Sequence, residues 1–442
     1  MSAPREAATL RGARGVVALV AGMAAMTILD LSKTTVALPA LEIALGADAL
    51  QLQLVVAAYV CAYAITLVPG GILGDALGRR RTIALALSIG LVAAVGAAAA
   101  QGAPVLIAFR IVQGVAAGLL MPQLMGSLHA LFAGPARGRA FGAYGATVSA
   151  SIALGPVVGG ALLLLGDPSS SWRWLFLMNI PPILAALLLV RRLLPPDAAP
   201  RRPAVDGLGL LFASGGLALL LVPLILTSGT DADTPARWLL LVPAAALLAL
   251  FAGRQRTRGR QGRSTVIAPE LVRIRTFRAG LGVAGLWFAA NLGIAVVVTL
   301  YLQGAYGLTP LQAGLANVPS ALAAAVSAAV AGRLVSRLGR ATVVIGLTIA
   351  VSGIVMSCLA LLLLAPEQRL VAVILTQTVA GFGGGMTVSP NQALTLGDVP
   401  RSLSSAAGSL AQLSQRVGNA AGVAGAGASL FAAVFAAGVS LA

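Results

Sequence analysis

The stretch GGILGDALGRR, residues 70–80, decides the fold because it occurs twice. A second copy, AGRLVSRLGRA, spans residues 331–341 in the other half of the chain. Each copy combines glycines with arginines and lies between two long apolar runs, which is typical of a tight turn between helices. The identical pairs are Gly71 with Gly332, Leu73 with Leu334, Leu77 with Leu338, Gly78 with Gly339 and Arg79 with Arg340.

Two other short repeats occur at nearly the same spacing. RIVQGVAAG at 110–118 corresponds to QTVAGFGGG at 377–385, and GPVVGG at 155–160 corresponds to GNAAGV at 418–423. Chance is a poor explanation for three matches at nearly one offset. We therefore predict two structural repeats in the same orientation, which is the layout of a transporter that rocks one half against the other around a central site.

The composition is that of a protein whose exterior is apolar as well as its core. Of the 442 residues, 58% are hydrophobic and only 10% are charged, whereas soluble domains carry about 25% charged residues. Long apolar runs recur without period-two alternation, so we predict membrane helices and exclude a β-barrel. The thirteen candidate spans are about 16–45, 51–74, 82–101, 104–130, 140–165, 173–194, 207–228, 236–253, 279–303, 311–335, 341–364, 369–393 and 403–435.

The basic residues predict the orientation in the membrane. The net charge is +17, and most arginines lie before span one or after the even-numbered spans. This alternation follows the positive-inside rule and predicts a multi-pass protein of the cell membrane with a cytoplasmic N-terminus. It also argues against a nucleic-acid partner, because the charge lies at span ends rather than on one folded surface. Cys61 and Cys358 fall inside spans, so a disulfide framework is not expected.

The span pattern predicts two six-helix bundles and an inserted hairpin. Spans seven and eight match neither repeat, so they form the hairpin. The second bundle is expected to lack its last helix, since only five of its spans are visible before Ala442. The predicted segments are a cytoplasmic N-terminus at 1–15, the first bundle at 16–194, a linker at 195–206, the inserted hairpin at 207–253, an Arg-rich cytoplasmic loop at 254–278 and the second bundle at 279–442.

Several motifs together resemble those of the major facilitator superfamily. The loop, fourth-span and fifth-span motifs are GGILGDALGRRRT, LIAFRIVQGVAAG and GPVVGGAL. Three further stretches, LDLSKTTVALP, WRWLFLMNIP and GLTPLQAGLANVP, resemble the fourteen-span branch of drug:proton antiporters. The resemblance implies the major facilitator fold and proton-coupled drug efflux. The chain departs from this branch at Thr35, where Asn is common, and in the absent fourteenth span.

The first span carries an acid and a base where hydrocarbon is expected. Asp30 is the only acid deep inside a span, and Lys33 follows three residues later on the same helical face. Intramembrane ionisable groups are functional by default, so Asp30 is the best candidate proton carrier; a permanent ion pair that only fixes helix packing is the alternative. Arg110 and Gln113 in span four are expected to face Asp30, and the resemblance implies that Arg110 takes part in proton transfer.

Two glycine motifs are candidate moving parts. The resemblance implies that Gly71, Asp75, Gly78, Arg79 and Arg80 form a gate latch that stabilises the outward-open state. A purely topological role for the arginines is the alternative. The second copy has serine at 336 in place of the acid at 75, so an asymmetric latch is expected.

The fifth-span motif combines proline with three glycines, which permits bending and close packing. Its residues are Gly155, Pro156, Gly159 and Gly160. The resemblance implies that this motif limits leak.

Arg416, with Gln412 and Asn419 in span thirteen, is the polar site of the second half that is equivalent to the charged site of the first. A substrate role and a helix-packing network are equally plausible for it.

These observations predict a proton-coupled antiporter that exports small hydrophobic or cationic organic compounds, and not an enzyme. Protons, a small-molecule substrate and the bilayer are the expected partners, with anionic lipid at 254–278, and the protein is expected to be a monomer. No cofactor or metal is expected, since the chain has one histidine and no phosphate-binding loop. Two alternatives stay open: a transporter of one specific metabolite, and a transport-inactive membrane sensor or scaffold.

Overall fold

A computed structural model describes residues 3–165, 167, 169–196, 206–225, 235–308 and 310–436. Throughout these ranges the regular structure is helical, without strands. Eleven helices in the described part are long and apolar enough to cross a membrane. The predicted fold class, an all-α polytopic membrane protein, is confirmed.

Thirteen helices follow the predicted spans in order. They are α1 (Ala3–Val36), α2 (Ala49–Leu77), α3 (Arg79–Ala98), α4 (Ala103–Leu131), α5 (Gly134–Leu163), α6 (Ile180–Leu193), α7 (Gly207–Ile225), α8 (Leu241–Arg260), α9 (Arg275–Tyr306), α10 (Val318–Leu338), α11 (Arg340–Leu363), α12 (Pro366–Thr395) and α13 (Ser404–Ala436). Two of them, α7 and α13, are outside the group of eleven. The count of membrane-crossing helices in the described residues is therefore smaller than the thirteen predicted.

Proline and glycine set several helix ends. The first predicted span, 16–45, is divided between α1, which ends at Val36, and a separate short helix, Leu38–Leu45. Pro39 lies in the first turn of this short helix, where its missing N–H costs no helical hydrogen bond. The turns after α2 and α10 place Gly78 at φ 100° and Gly339 at φ 55°, a backbone region that favours glycine. The repeated sequence motif thus produces the same kind of turn in both halves.

The sequence repeats also pack alike. Gly114 of α4 lies against the backbone of Tyr59 in α2, and Gly381 of α12 lies against the backbone of Ser320 in α10. Small residues at such positions allow membrane helices to approach closely, where packing rather than the hydrophobic effect holds helices together. α4 with α2, and α12 with α10, are therefore equivalent helix pairs of the two bundles.

The inserted hairpin packs across the two bundles. α7 contacts α2 and α13, and Ser214 donates a hydrogen bond to the carbonyl of Ile65 at 3.3 Å. A small apolar cluster joins Ala64 of α2, Leu217 and Leu221 of α7 and Ala420 of α13. The hairpin therefore lies along one of the seams between the bundles.

The predicted Arg-rich loop, 254–278, is largely helical instead. α8 continues to Arg260, a short helix covers Pro269–Arg273, and α9 begins at Arg275. Charged residues ended the apolar run in the sequence, but they do not end a helix, since arginine is a good helix former. Most of the predicted linker, residues 197–205, and the last residues of the second bundle, 437–442, lie outside the described residues.

Candidate functional site

The acid of α1 lies at the centre of a polar cluster inside the first bundle. Asp30 is 5% exposed, and both of its carboxylate oxygens are engaged. Arg110 of α4 donates to Oδ2 at 2.6 Å, and Asn179, beside the start of α6, donates to Oδ1 at 2.6 Å. The ammonium of Lys33 lies 3.2 Å from the same Oδ1. Three helices thus bring their polar groups to one carboxylate.

Arg110 is held in place from several sides. It donates to the side chain of Gln113 at 2.9 Å and to the carbonyl of Val55 at 3.0 Å. Its guanidinium carbon lies 4.3 Å from the centre of the Tyr59 ring, within range of a cation–π interaction. One guanidinium nitrogen, Nη2, is buried without a hydrogen-bond partner. The cation is therefore fixed while keeping unused donor capacity.

The cluster contains more positive than negative charge. Lys33 and Arg110 are fully buried, and among the described residues Asp30 is the one acid paired with them. Lys33 also donates to Asn179 Oδ1 at 2.6 Å, so the amide contacts both the acid and the base. Removing the negative charge of Asp30 leaves two buried cations uncompensated, which is unfavourable in a low-dielectric site.

A small cavity of ≈ 50 Å³ adjoins this cluster. Apolar side chains from α1, α3, α4 and α6 surround its polar lining, which consists of Thr27, Asp30, Tyr59, Gln113 and Asn179. A cavity needs about 10–15 Å³ to hold one water molecule, so this one has room for a few. Water in this cavity would lie beside the carboxylate of Asp30.

The fifth-span motif packs against α1 beside the same site. Gly155 lies against Ser32, and Gly159 lies against the backbone of Lys33. Gly160 faces open space within 4 Å, and Pro156 lies inside α5. Two of the four predicted residues, the glycines at 155 and 159, thus allow α5 to approach α1 directly behind the charged residues.

The predicted latch residues join the two bundles at one end, which we call the basic end; it carries the α2–α3, α4–α5, α10–α11 and α12–α13 connections. Asp75 accepts hydrogen bonds from the backbone N–H groups of Ser405 at 3.2 Å and Ala406 at 3.0 Å. These groups belong to the first turn of α13, where a helix favours negative charge. Arg79 donates to the carbonyl of Arg401 at 2.8 Å.

The rest of the motif supports this closure. Gly71 lies so close to Ser409 of α13 that a methyl group there would clash. Gly78 supplies the positive φ of the turn, and Arg80 is half-buried in the first turn of α3. Two α4–α5 residues add contacts, His129 to the carbonyl of Val399 and Arg137 to that of Gly397. The bundles are therefore closed at the basic end.

The predicted second-half site is more loosely connected. The guanidinium of Arg416 stacks on Tyr63 of α2, 4.4 Å from the ring centre, and its Nε is buried without a hydrogen-bond partner. Gln412 donates weakly to the hydroxyl of Tyr144 at 3.4 Å. Asn419 lies half-buried, further along α13. Arg416 and Gln412 thus both contact the first bundle.

Two residues of the first-half cluster were not predicted from the sequence. Asn179 lies within the quoted motif WRWLFLMNIP, where an amide beside two prolines in an apolar run was the available signal. Tyr59 lies under the guanidinium of Arg110, and its ring is tilted by 58° against that of Tyr63, with 6.2 Å between the two ring centres. Nothing in its apolar surroundings in the sequence marks it, because this contact depends on how α2 packs on α4.

Comparison with known protein families decides the classification. A model of the Major Facilitator Superfamily matches residues 19–423. The chain belongs to the Major Facilitator Superfamily. It is therefore a membrane transporter built on that family's fold, and the resemblance of its motifs is confirmed at the level of the superfamily.

Curated relatives of this facilitator are named for antibiotic transport or resistance. It is 31% identical over 409 residues to a probable actinorhodin transporter of Streptomyces coelicolor, covering 92% of this chain and 70% of the relative. It is 32% identical over 403 residues to a puromycin resistance protein of Streptomyces alboniger, covering 90% and 78%. A tetracenomycin C resistance and export protein of Streptomyces glaucescens is 28% identical.

Solved structures agree on the fold. The human organic anion transporter MFSD10 superimposes with a TM-score of 0.67 at 17% identity, covering 94% of this chain and 93% of that one. The proton:xylose symporter XylE gives a TM-score of 0.65 at 16% identity, with 96% and 95% covered. At these identities the likeness concerns architecture alone.

Proposed function

We propose that this facilitator is a proton-coupled antiporter that exports small, largely apolar organic compounds. The observation that carries the proposal is Asp30, buried between Lys33, Arg110 and Asn179 and reached by a small cavity. An acid held by two cations beside a cavity with room for water is a group that can exchange a proton during a transport cycle. The antibiotic-related names of its relatives support organic substrates.

Charge compensation supplies a coupling mechanism. When Asp30 is ionised, it balances part of the charge of Lys33 and Arg110. Protonation cancels the negative charge and leaves these cations without their partner, so the cluster favours a different helix arrangement. Because Gly159 places α5 against Lys33, a shift at the cluster is transmitted to α5, which packs against α10 of the second bundle.

The arginine distribution supports one orientation in the membrane. We propose that the protein is a monomer of the cell membrane, with the N-terminus and the basic end in the cytoplasm. In that orientation the latch at Asp75 and Arg79 closes the cytoplasmic side, and protons enter from outside. The motifs support a place among the fourteen-span drug:proton antiporters.

The six exposed arginines of 254–278 are proposed to contact anionic lipid. The exposed arginines are Arg256, Arg260, Arg263, Arg273, Arg275 and Arg278.

Proteoliposomes with an imposed pH gradient test the proposal. We expect a panel of fluorescent apolar aromatic compounds to be moved by the wild type in response to the gradient, and movement to stop with an uncoupler. Asp30→Asn is expected to lose gradient-driven movement while still binding the compounds. Glu42→Gln, which neutralises an exposed acid of the helix Leu38–Leu45, is the matched control and is expected to behave like the wild type.

Two results would overturn the proposal. Gradient-driven transport that survives in Asp30→Asn would place the proton site elsewhere. A wild type that moves none of the panel would favour a transporter of one metabolite or a protein without transport activity.

A further inference from the structure

A second cavity lies within the second bundle, between α9, α12 and α13. Its lining combines two aromatic rings, Trp287 and Phe288 of α9, with side-chain amides of α12 and α13. Gly384 leaves space for the edge of the Trp287 ring, which a methyl group at that position would contact. At ≈ 10 Å³ the cavity is nearly closed in this conformation, with room for about one water molecule.

One polar atom of this cavity has no partner. Gln392 of α12 is 6% exposed, and its Oε1 is buried without a hydrogen bond. Leaving a buried acceptor unpaired costs about 1–3 kcal/mol, so a donor that enters the cavity would gain a hydrogen bond there. Gln415 of α13 lines the same cavity and is 6% exposed. The rings and amides together fit a planar aromatic compound that carries a hydroxyl or amine donor.

The buried charges decide which charge that compound can carry. Within the described membrane helices, Asp30 is the single acid deep in a span, whereas Lys33, Arg110 and Arg416 are cations. Arginines do not lose their protons in proteins. Even with Asp30 ionised and Lys33 neutral, the two arginines leave an excess of positive charge, and protonation of Asp30 increases it. Arg416 follows Gln415 on α13, so one of these cations lies on a helix that lines the second cavity.

We infer that the cavity between α9, α12 and α13 is the organic substrate site, and that it takes uncharged or anionic planar aromatic compounds in preference to lipophilic cations. The inference rests on the proposed function and narrows its substrate class. Of the two classes expected from the sequence, hydrophobic and cationic, it retains the first and excludes the second. Proton coupling in the first bundle and substrate binding in the second would then be separate sites.

Three fluorescent probes with one ring system test this. Hydroxypyrene is uncharged, pyrenesulfonate is anionic, and a pyrenyl trimethylammonium is cationic. Binding to the full-length protein in nanodiscs, without any gradient, is measured at neutral pH by energy transfer from tryptophan. We expect the first two probes to bind at least tenfold more tightly than the cation.

Variants of one side chain locate the site. Gln392→Leu removes the acceptor and is expected to weaken binding of hydroxypyrene about tenfold. Gln392→Glu adds a negative charge and is expected to improve binding of the cationic probe and weaken that of pyrenesulfonate. Gln377→Glu places the same charge elsewhere on α12, where Gln377 donates to Ser357, and is expected to leave the order of the three probes unchanged.

The outcomes separate this inference from the proposed function. Equal or tighter binding of the cation by the wild type would overturn the inference, as would unchanged binding in both Gln392 variants of a folded, monodisperse protein. The wild-type comparison needs no variant, so it stands even if a variant fails to fold. If the probes bind in the expected order but no gradient drives their export, the antiport proposal fails and the site assignment stands.

Discussion

Asn179 Nδ2 lies 2.6 Å from Asp30 Oδ1, and the oxygen of the same amide accepts from Lys33 Nζ at 2.6 Å. One uncharged side chain therefore holds the acid and the base of the first bundle at a fixed separation. Its position beside the start of α6 means that the cluster depends on three helices at once. Asn179 is a positioning residue in this account, since it orients the acid without carrying a charge.

Replacing this amide is expected to disturb the coupling between proton movement and substrate export. In Asn179→Leu the carboxylate loses a donor and the ammonium loses an acceptor, and we expect gradient-driven export to fall about tenfold, with a shifted dependence on external pH. Initial export rates across a series of external pH values measure both effects. Asn291→Leu, at an exposed position of α9, is the control. A uniform fall in rate without a shifted pH profile would contradict the positioning role.

The latch at the basic end is expected to depend on the charge of Asp75. Asp75→Asn weakens the hydrogen bonds to the first turn of α13, because charge-assisted hydrogen bonds are roughly twice as strong as neutral ones. We expect a larger population of conformations open at the basic end. Spin labels at exposed positions on opposite bundles, Leu131 and Leu338, report the change by electron–electron distance measurement, in a background with both native cysteines replaced.

Ser336 is the matched control for the latch. It occupies the position of Asp75 in the second copy of the motif, and its hydroxyl donates within its own helix to the carbonyl of Arg333. Ser336→Ala is therefore expected to leave the distance distribution unchanged. Equal effects of the two substitutions would show that the latch is not asymmetric.

Close packing of α5 on α1 makes a stability prediction. A methyl group at Gly159 would lie 3.0 Å from the carbonyl oxygen of Lys33, whereas one at Gly160 would meet open space. Overpacking costs about 1–3 kcal/mol, so Gly159→Ala is expected to lower the unfolding temperature. Gly160→Ala is expected to be neutral or slightly stabilising. Thermal unfolding of both variants in the same detergent is the measurement, and equal unfolding temperatures would contradict the packing.

Asp206, which precedes α7 and pairs with Arg254 and Arg258 of α8, predicts a pH dependence of stability. Burial raises the pKa of Asp206, but hydrogen bonds from Arg254 and Gly209 and the charges of Arg254 and Arg258 outweigh burial and hold this pKa below its ordinary value. An acid with a lowered pKa stabilises the fold above its unfolded pKa of about 3.9, and this contribution is lost as the pH falls through the lower folded value.

Asp206→Asn is expected to remove that contribution. The loss is about 1–3 kcal/mol at neutral pH, because two partly exposed arginines lose the buried carboxylate that they share. The wild type and the variant should converge as the pH falls below about 4. Thermal unfolding between pH 3 and pH 7 measures the difference, and a gap that stays constant over this range would contradict the assignment.

Much of the fold could be predicted from the sequence because membrane helices appear as long apolar runs. The repeated turns at Gly78 and Gly339 and the equivalent glycines of α4 and α12 followed from pattern alone. Pairing of Asp30 with Lys33 followed from helical spacing, and its contact with Arg110 from the bundle arrangement. Asn179 and Tyr59 did not follow, since an amide and a ring in an apolar run acquire their role only when three helices pack together.

Proton release on substrate binding tests the central claim most directly. Purified protein in weakly buffered solution is mixed with an exported compound that has no titratable group, and the pH is recorded. The account predicts that the wild type and Glu42→Gln release protons on binding, and that Asp30→Asn binds the compound without releasing any. Release by Asp30→Asn equal to that of the wild type would contradict the claim that Asp30 carries the proton.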